Sequence, residues 1–166
     1  MPDDARTIRR IRIVTVLFML GLVLSGITAI PIETQLDALA IATGLEDASP
    51  QDHPRDSWRG WLLAVHHGVR EMNAKHPFMG YAGDWLAFGH FGIALVFVWA
   101  LREPARYRFL FDFGLLVCLL VIPYALIAGH FRGIPWWWRA ADCSFGILGA
   151  IPMAVCRRWA GRLTFA

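Results

Sequence analysis

The stretch FGLLVCLLVIPYALIAG, residues 113–129, contains no charged side chain. A helix needs about twenty predominantly apolar residues to cross the hydrocarbon core of a bilayer. With its flanking residues, this stretch reaches that length. Three further uncharged blocks also reach or nearly reach it, at residues 13–30, 85–101 and 143–156. The sequence therefore predicts four membrane-spanning helices.

The composition supports this interpretation. Of the 166 residues, 57% are hydrophobic and 17% are charged, whereas apolar residues make up about 45–50% of an ordinary soluble domain. We predict an all-α fold, an integral membrane four-helix bundle that forms a single transmembrane domain. The predicted spanning helices lie at about residues 11–31, 84–101, 109–129 and 139–156 of the domain 1–166.

The first apolar block follows a basic leader with Arg6, Arg9, Arg10 and Arg12, so a cleaved signal peptide is the alternative to a retained helix. The apolar region of a signal peptide usually spans about 7 to 15 residues and ends at a cleavage site of small residues. The block 13–30 is longer and no such site is evident. We interpret it as a retained helix.

The distribution of Lys and Arg predicts the orientation. With the N-terminus in the cytoplasm, ten of the sixteen basic residues fall on the inner side, as the positive-inside rule favours. We predict a multi-pass membrane protein with both termini cytoplasmic and membrane lipids as partners. The net charge of +3 follows from this topology and gives no reason to expect a nucleic acid partner.

The absence of a C-x-x-C motif argues against a thiol–disulfide oxidoreductase.

Residues 32–80 form a predicted outer segment that is too long for a passive connection. Apolar residues at helical spacing from Ile32, with Gly44 as the stop, predict a short interfacial helix. A second amphipathic helix is predicted from Ser57, and His66 borders its apolar stripe as an interfacial polar residue or as a cap on an outer polar cluster. The stripe comprises Trp58, Leu62, Val65, Val69 and Met72, and the wetter side comprises Leu63, His67, Arg70 and Glu71.

The outer polar cluster consists of ionisable residues that map to the same side of the predicted bundle. Such groups are costly inside spanning segments and often mark ligand or proton chemistry. His90 shares a helix face with Gly83 and Ala87, which favours a position facing a neighbouring helix. Arg139 and Asp142 open a stripe of small residues at a spacing that also lets them pair with each other. The cluster comprises Asp84, His90, His130, Arg139 and Asp142.

These residues predict an outward-facing polar pocket that binds, and could process, an amphiphilic anionic or lipid-linked ligand. His90, Asp84 and Asp142 are the catalytic candidates, because they could supply general acid–base chemistry. Arg139 and Arg132 could bind an anion through charge-assisted hydrogen bonds. The remaining ligand-binding candidates are His130, His66, Trp136, Trp137 and Trp138, the tryptophans being typical of the headgroup level.

Two other classes stay open. In a haem or metal redox protein, His90 with His130 or His66 would be the axial or metal ligands, although the chain has no H-x-x-x-H or E-x-x-H pair. In an assembly subunit, the small-residue stripes would bind a membrane-protein partner or a second copy of the chain. The sequence assigns no metal ligands, leaves the cofactor unknown and leaves enzyme status undecided.

Three strings carry a family resemblance: GDWLAFGH at 83–90, RGIP at 132–135 and, after Trp138 and Arg139, DCSFG at 142–146. They resemble a family of small bacterial four-helix membrane proteins. The resemblance covers most of the segment 80–152. It implies a bacterial inner-membrane setting and no established activity.

The chain is also similar to the VanZ-like proteins, four-helix membrane proteins associated with glycopeptide resistance. The shared features are an acidic residue and a His opening the second helix, here Asp84 and His90, and an Arg, Asp and glycine pattern opening the fourth. The interval between Asp84 and His90 is longer than in that family. The family's acidic and Gln pair near the end of the third helix is missing, and no Asn follows Asp142.

Overall fold

The computed structural model describes residues 2–163, with side chains for residues 4–163. All regular secondary structure in this part of the chain is helical, and it includes short 3-10 helices at Pro50–Asp52 and Pro77–Gly80. The α-helices are α1 (Pro2–Ala29), α2 (Ile32–Ala42), α3 (Trp58–Lys75), α4 (Tyr81–Arg102), α5 (Phe109–Phe131) and α6 (Trp136–Ala160).

Four helical stretches are long and apolar enough to cross a membrane, which confirms the number predicted from the sequence. Their mean hydropathies lie between 1.3 and 2.4. Large apolar side chains on them are exposed, for example Leu17 at 63% and Leu148 at 65%. Contiguous apolar surface of this kind is rare on soluble proteins, and by length and composition the chain is a multi-pass membrane protein. The stretches are Asp4–Ala29, Pro77–Arg102, Phe109–Phe131 and Trp136–Ala160.

Several helix ends differ from the predicted ones. The basic leader is part of α1, as suits arginine, which is a good helix former. The connection between α5 and α6, predicted as an outer turn over residues 130–138, is shortened to residues 132–135. Gly133 has φ of 66°, a left-handed conformation that ends helices, and Pro135 directly precedes the first turn of α6, where its fixed φ is tolerated.

The chain divides into two compact units, and the larger one comprises the described residues before Val23 and after Phe91. Its core takes buried side chains from four helices. Phe97 of α4, for example, meets the ring of Phe18 edge-on at a centroid distance of 5.1 Å. α5 packs against α6, and Asp112 pairs with Arg157 between them. The core includes Ile11, Phe97, Phe111, Met153 and Cys156.

The smaller unit is Val23–Phe91, in which α2 packs against α3. Ser57 caps α3, because its Oγ accepts a hydrogen bond from the Gly60 backbone N–H at 3.1 Å. Leu45, Leu62 and Leu63 form the core of this unit. The prediction that Leu63 lies on the wetter side of its helix is wrong: it is 3% exposed, since the chain after α2 returns over α3 and packs Leu45 against it.

Candidate functional site

A cavity of about 780 Å³ lies within the smaller unit. It is lined by the junction of α1 and α2, by the C-terminal part of α3 and by the segment that leads into α4. Most of the lining side chains are apolar, among them Ile32, Val69 and Met72. This volume falls within the range of about 300–1,000 Å³ that is typical of small-molecule sites.

The polar part of the lining includes Glu33, Asn73 and Asp84. Glu33 Oε2 accepts a hydrogen bond from Asn73 Nδ2 at 2.6 Å. Asp84 lies in the first turn of α4 and is exposed. Within residues 4–163 its carboxylate has no hydrogen-bond or ion-pair partner. The cavity therefore combines an apolar wall with carboxylate oxygens that can accept further hydrogen bonds.

A polar network links α2 to α3 next to this lining. His66 Nε2 donates to Asp37 Oδ1 at 2.6 Å, and Arg70 Nη2 donates to the same oxygen at 2.9 Å. Arg70 Nε also lies 4.0 Å from Glu33 Oε1, so the network continues into the cavity. We call Glu33, Asp37, His66, Arg70 and Asn73 the α2–α3 polar network.

The electrostatics of the network favour an ionised Asp37. The hydrogen bond from His66 is the main reason why the pKa of Asp37 lies below its ordinary value of 3.8; burial opposes this shift and the positive charge of Arg70 adds to it. His66 itself is buried, with 7% of its surface exposed. The ring is thus held in one orientation, with its Nε2 proton committed to Asp37.

The sequence pattern did not indicate Glu33, Asp37 or Asn73 as site residues. A signal was present: Glu33 and Asp37 are four positions apart on α2, and His66 and Arg70 are four positions apart on α3. Side chains at this spacing share one helix face. The acidic face of α2 and the basic face of α3 identify a site only when the two helices are known to pack against each other.

His90 lies on α4 of the same unit but does not line the cavity. Its Nδ1 donates to the Leu86 carbonyl oxygen at 2.8 Å. A carbonyl oxygen can only accept, so Nδ1 carries the proton and Nε2 of the neutral ring keeps its lone pair. This geometry leaves Nε2 able to accept a proton.

Arg139 belongs to the larger unit and extends along α5. A Cβ at Gly129 would lie 2.6 Å from Cγ and Cδ of Arg139, so only glycine leaves room for this side chain. Nη1 donates to the Leu126 carbonyl at 3.4 Å, while Nε is buried with no hydrogen-bond partner among the described residues. The pairing with Asp142 that the spacing allows is not formed within residues 4–163, because the guanidinium is turned toward α5.

The remaining predicted site residues lie around the connection between α5 and α6. His130 and Arg132 are exposed at the end of α5. Trp136 is 73% exposed, and the rings of Trp137 and Trp138 meet edge-on at 5.7 Å. All three tryptophans lie in the first turn of α6 rather than in the predicted outer turn.

Two predicted site residues therefore fall at the cavity or its network, namely Asp84 and His66. His90 belongs to the same unit without joining either. The convergence of the whole set on one pocket stays a prediction, as do the assigned roles. Within residues 4–163, no group of three or more His, Cys, Asp or Glu side chains is placed to hold a metal ion. The other candidates, His130, Arg132, Trp136, Trp137, Trp138, Arg139 and Asp142, belong to the larger unit.

Comparison of the chain with protein-family models, with curated proteins and with solved structures gave no match. The two family resemblances stay predictions. The geometry of the cavity and of its polar network is therefore the basis for a functional proposal.

Proposed function

We propose that this chain is a multi-pass protein of the bacterial inner membrane that binds an amphiphilic, lipid-like ligand at the outer face. The observation that carries the proposal is the cavity of about 780 Å³ in the smaller unit, whose lining joins apolar side chains to Glu33, Asn73 and Asp84. An amphiphile has the same division between an apolar chain and a polar head.

The position of the cavity along the chain supports a site at the membrane interface. Its lining begins at Ala29, where the first candidate span ends, and includes the first residues of the span Pro77–Arg102. The ends of spanning helices lie near the headgroup region. Tyr81 and Trp85 are 60% and 57% exposed there, as in the aromatic belts of membrane proteins.

The proposal includes a four-helix bundle in the membrane with α2 and α3 on its outer surface. Leu39 and Ile41 of α2 are 47% and 65% exposed. An interfacial helix buries such side chains in the boundary between headgroups and acyl chains. The resemblance to small bacterial four-helix membrane proteins agrees with this arrangement.

A second part of the proposal, independent of the cavity, is an anion site at Arg132 and Arg139 in the larger unit. The Arg139 Nε donor, buried without a hydrogen-bond partner among the described residues, supports it, because such a donor gains a charge-assisted bond from a phosphate oxygen. If the ligand is also processed, His90 Nε2 is the candidate base, with Asp84 and Asp142 as further acid–base groups. Turnover should then be lost in His90→Ala while binding is partly retained.

Lipid binding by the detergent-purified protein tests the proposal, with phosphatidylethanolamine as the probe and native mass spectrometry as the readout. Thr34→Phe adds bulk to a residue that lines the cavity, and Ala38→Phe adds bulk to an exposed residue of the same helix outside it. We expect Thr34→Phe to weaken binding about fivefold or more, equivalent to about 1 kcal/mol, and Ala38→Phe to leave it unchanged. Equal effects of the two substitutions would show that the cavity is not the site.

The proposed binding of an anionic group by Arg139 is tested separately. Arg139→Gln should weaken binding of phosphatidylglycerol but not of diacylglycerol, which lacks the phosphate. Arg55→Gln, in the loop before α3, is the matched control. A loss of affinity for both lipids in Arg139→Gln would assign that side chain a structural role.

A further inference from the structure

All charged side chains that line the cavity are negative. Glu33 and Asp84 are acidic, and none of the described lining residues is Lys, Arg or His. Carboxylates are acceptors only, and Asp84 has no cationic partner within residues 4–163. A cation in the cavity would balance this charge.

The hydrogen-bond inventory points the same way. Of the four carboxylate oxygens, Glu33 Oε2 has the Asn73 amide as a donor at 2.6 Å. Glu33 Oε1 has only Arg70 Nε at 4.0 Å, which is too long for a hydrogen bond. The Asp84 carboxylate has no partner within residues 4–163. The Asp84 carboxylate can therefore accept hydrogen bonds from a donor on the ligand.

We propose that the head group bound in this cavity carries a protonated amine, held between the carboxylates of Glu33 and Asp84. This inference rests on the proposed function, because the amine belongs to the same amphiphile. An ammonium group supplies three donors and one positive charge. An ethanolamine or amino-sugar lipid would have such a group.

An organic cation fits this lining better than a metal ion. Among residues 4–163, no group of three or more His, Cys, Asp or Glu side chains is placed to hold a metal ion. The polar side chains that line the cavity are two carboxylates, one amide and the hydroxyls of Thr34 and Tyr81. The lining also includes the aromatic rings of Phe78 and Tyr81, which attract alkylammonium groups. Val69, Met72 and Leu86 provide apolar surface for the carbon atoms of the ligand.

The test uses three amphiphiles with the same alkyl chain, namely dodecylamine, dodecanol and dodecyl phosphate. Each is titrated into the purified protein by isothermal calorimetry, with the heat of titration into empty micelles subtracted. Glu33→Gln and Asp84→Asn remove the charges at nearly constant shape. Glu46→Gln and Asp47→Asn remove the same charges from exposed positions outside the cavity, and thermal unfolding confirms that each variant is folded.

We expect dodecylamine to bind about tenfold more tightly than dodecanol, a difference of about 1.4 kcal/mol. Glu33→Gln and Asp84→Asn should each reduce that preference about threefold or more, and the two control substitutions should not. The inference is overturned if the preference is absent, if the controls reduce it equally, or if dodecyl phosphate binds most tightly and Thr34→Phe weakens its binding.

Failure of this inference is distinguishable from failure of the proposed function. If all three amphiphiles bind alike and Thr34→Phe weakens each of them, the cavity binds amphiphiles without selecting an amine. If none of the three binds, or if Thr34→Phe changes none of them, the proposed function is wrong and the amine inference falls with it.

Discussion

Asp37 receives hydrogen bonds from two residues of α3, the buried ring of His66 at 2.6 Å and the exposed guanidinium of Arg70 at 2.9 Å. Both donors favour the ionised carboxylate. Glu33 is the other acidic group that Arg70 approaches. The charge of Asp37 therefore contributes to the contact between α2 and α3 beside the proposed ligand site, together with the hydrogen bond from Asn73 to Glu33.

This dependence predicts a response to acid. Because the pKa of Asp37 is lowered in the folded protein, the folded state binds fewer protons there than the unfolded state, and ionised Asp37 stabilises the fold. That contribution is present above pH 3.8 and is lost as the pH falls through the lower, folded value. Thermal unfolding in detergent between pH 3 and pH 7 should show a steeper loss of stability below about pH 4 in the wild type than in Asp37→Asn.

Asp47→Asn is the matched control for that experiment, since Asp47 is exposed. It should keep the acid response of the wild type. If Asp37→Asn and Asp47→Asn had the same profile, the acid response would come from other carboxylates.

The sequence left two roles open for His66, because its partner lies 29 positions away. Helical periodicity shows which side of α3 is apolar, but not which residue of another helix will face it. The sequence showed that His66 is a polar residue at the border of the apolar stripe. Its pairing with Asp37 required the packing of α2 on α3, which only the structure supplies.

At the scale of the elements, α5 and α6 approach each other through small residues. The stripe on α6 predicted a close neighbour, and α5 is that neighbour. A Cβ at Gly146 would lie 2.5 Å from the carbonyl oxygen of Cys118. Glycine at this position is needed for the two backbones to come so close, as is common between membrane helices.

Gly146→Ala should therefore destabilise the protein, by about 1–3 kcal/mol for overpacking. Gly89→Ala is the matched control, because a Cβ there meets nothing within 4 Å and alanine is the better helix former by about 1 kcal/mol. The two substitutions should move the unfolding temperature in detergent in opposite directions. A Gly146→Ala protein as stable as Gly89→Ala would mean that α5 and α6 are not in backbone contact.

The contact of α3 with the preceding loop gives a second element-scale prediction. Leu63 is 3% exposed, so Leu63→Ala should cost about 2–5 kcal/mol, as for other core truncations. Leu39→Ala, at a residue 47% exposed on α2, should cost much less. Limited proteolysis of residues 46–56 would report the difference, because loss of the Leu63 contact frees the loop. Equal cleavage of both variants would contradict the packing of the loop on α3.

The number and the type of the helices were predictable because both depend on neighbouring residues. The first depends on the mean hydropathy of a segment, and the second on the spacing of apolar residues over a few turns. The sequence misplaced Leu63 for a different reason. A loop residue, Leu45, covers it, and no periodicity within α3 reveals a neighbour that comes from outside the helix.

For the whole molecule, four candidate spans follow from hydropathy alone, since an apolar helix of that length has few alternatives to a bilayer. The division into two compact units did not follow from the same pattern. Compactness depends on contacts between distant segments, such as Ile11 with the core residues of α4, α5 and α6.

Orientation is the whole-molecule property on which the proposed function depends, and charge predicts it. With an N-terminus in the cytoplasm, the loop at Asp47 is outside and the connection at Arg106 is inside. The natural cysteines, Cys118, Cys143 and Cys156, are first replaced by alanine, and Asp47→Cys or Arg106→Cys is then introduced at an exposed position. A membrane-impermeant maleimide should label Asp47→Cys in spheroplasts, but Arg106→Cys only after permeabilisation.

Labelling of both variants in detergent is the control for reactivity. The inverse pattern would place the cavity at the cytoplasmic leaflet. The amphiphile would then have to come from that leaflet, and lipid-linked intermediates confined to the outer face would be excluded as ligands. Because the same cavity with Glu33 and Asp84 would remain, the amine inference would survive the inversion, whereas the outer-leaflet proposal would not.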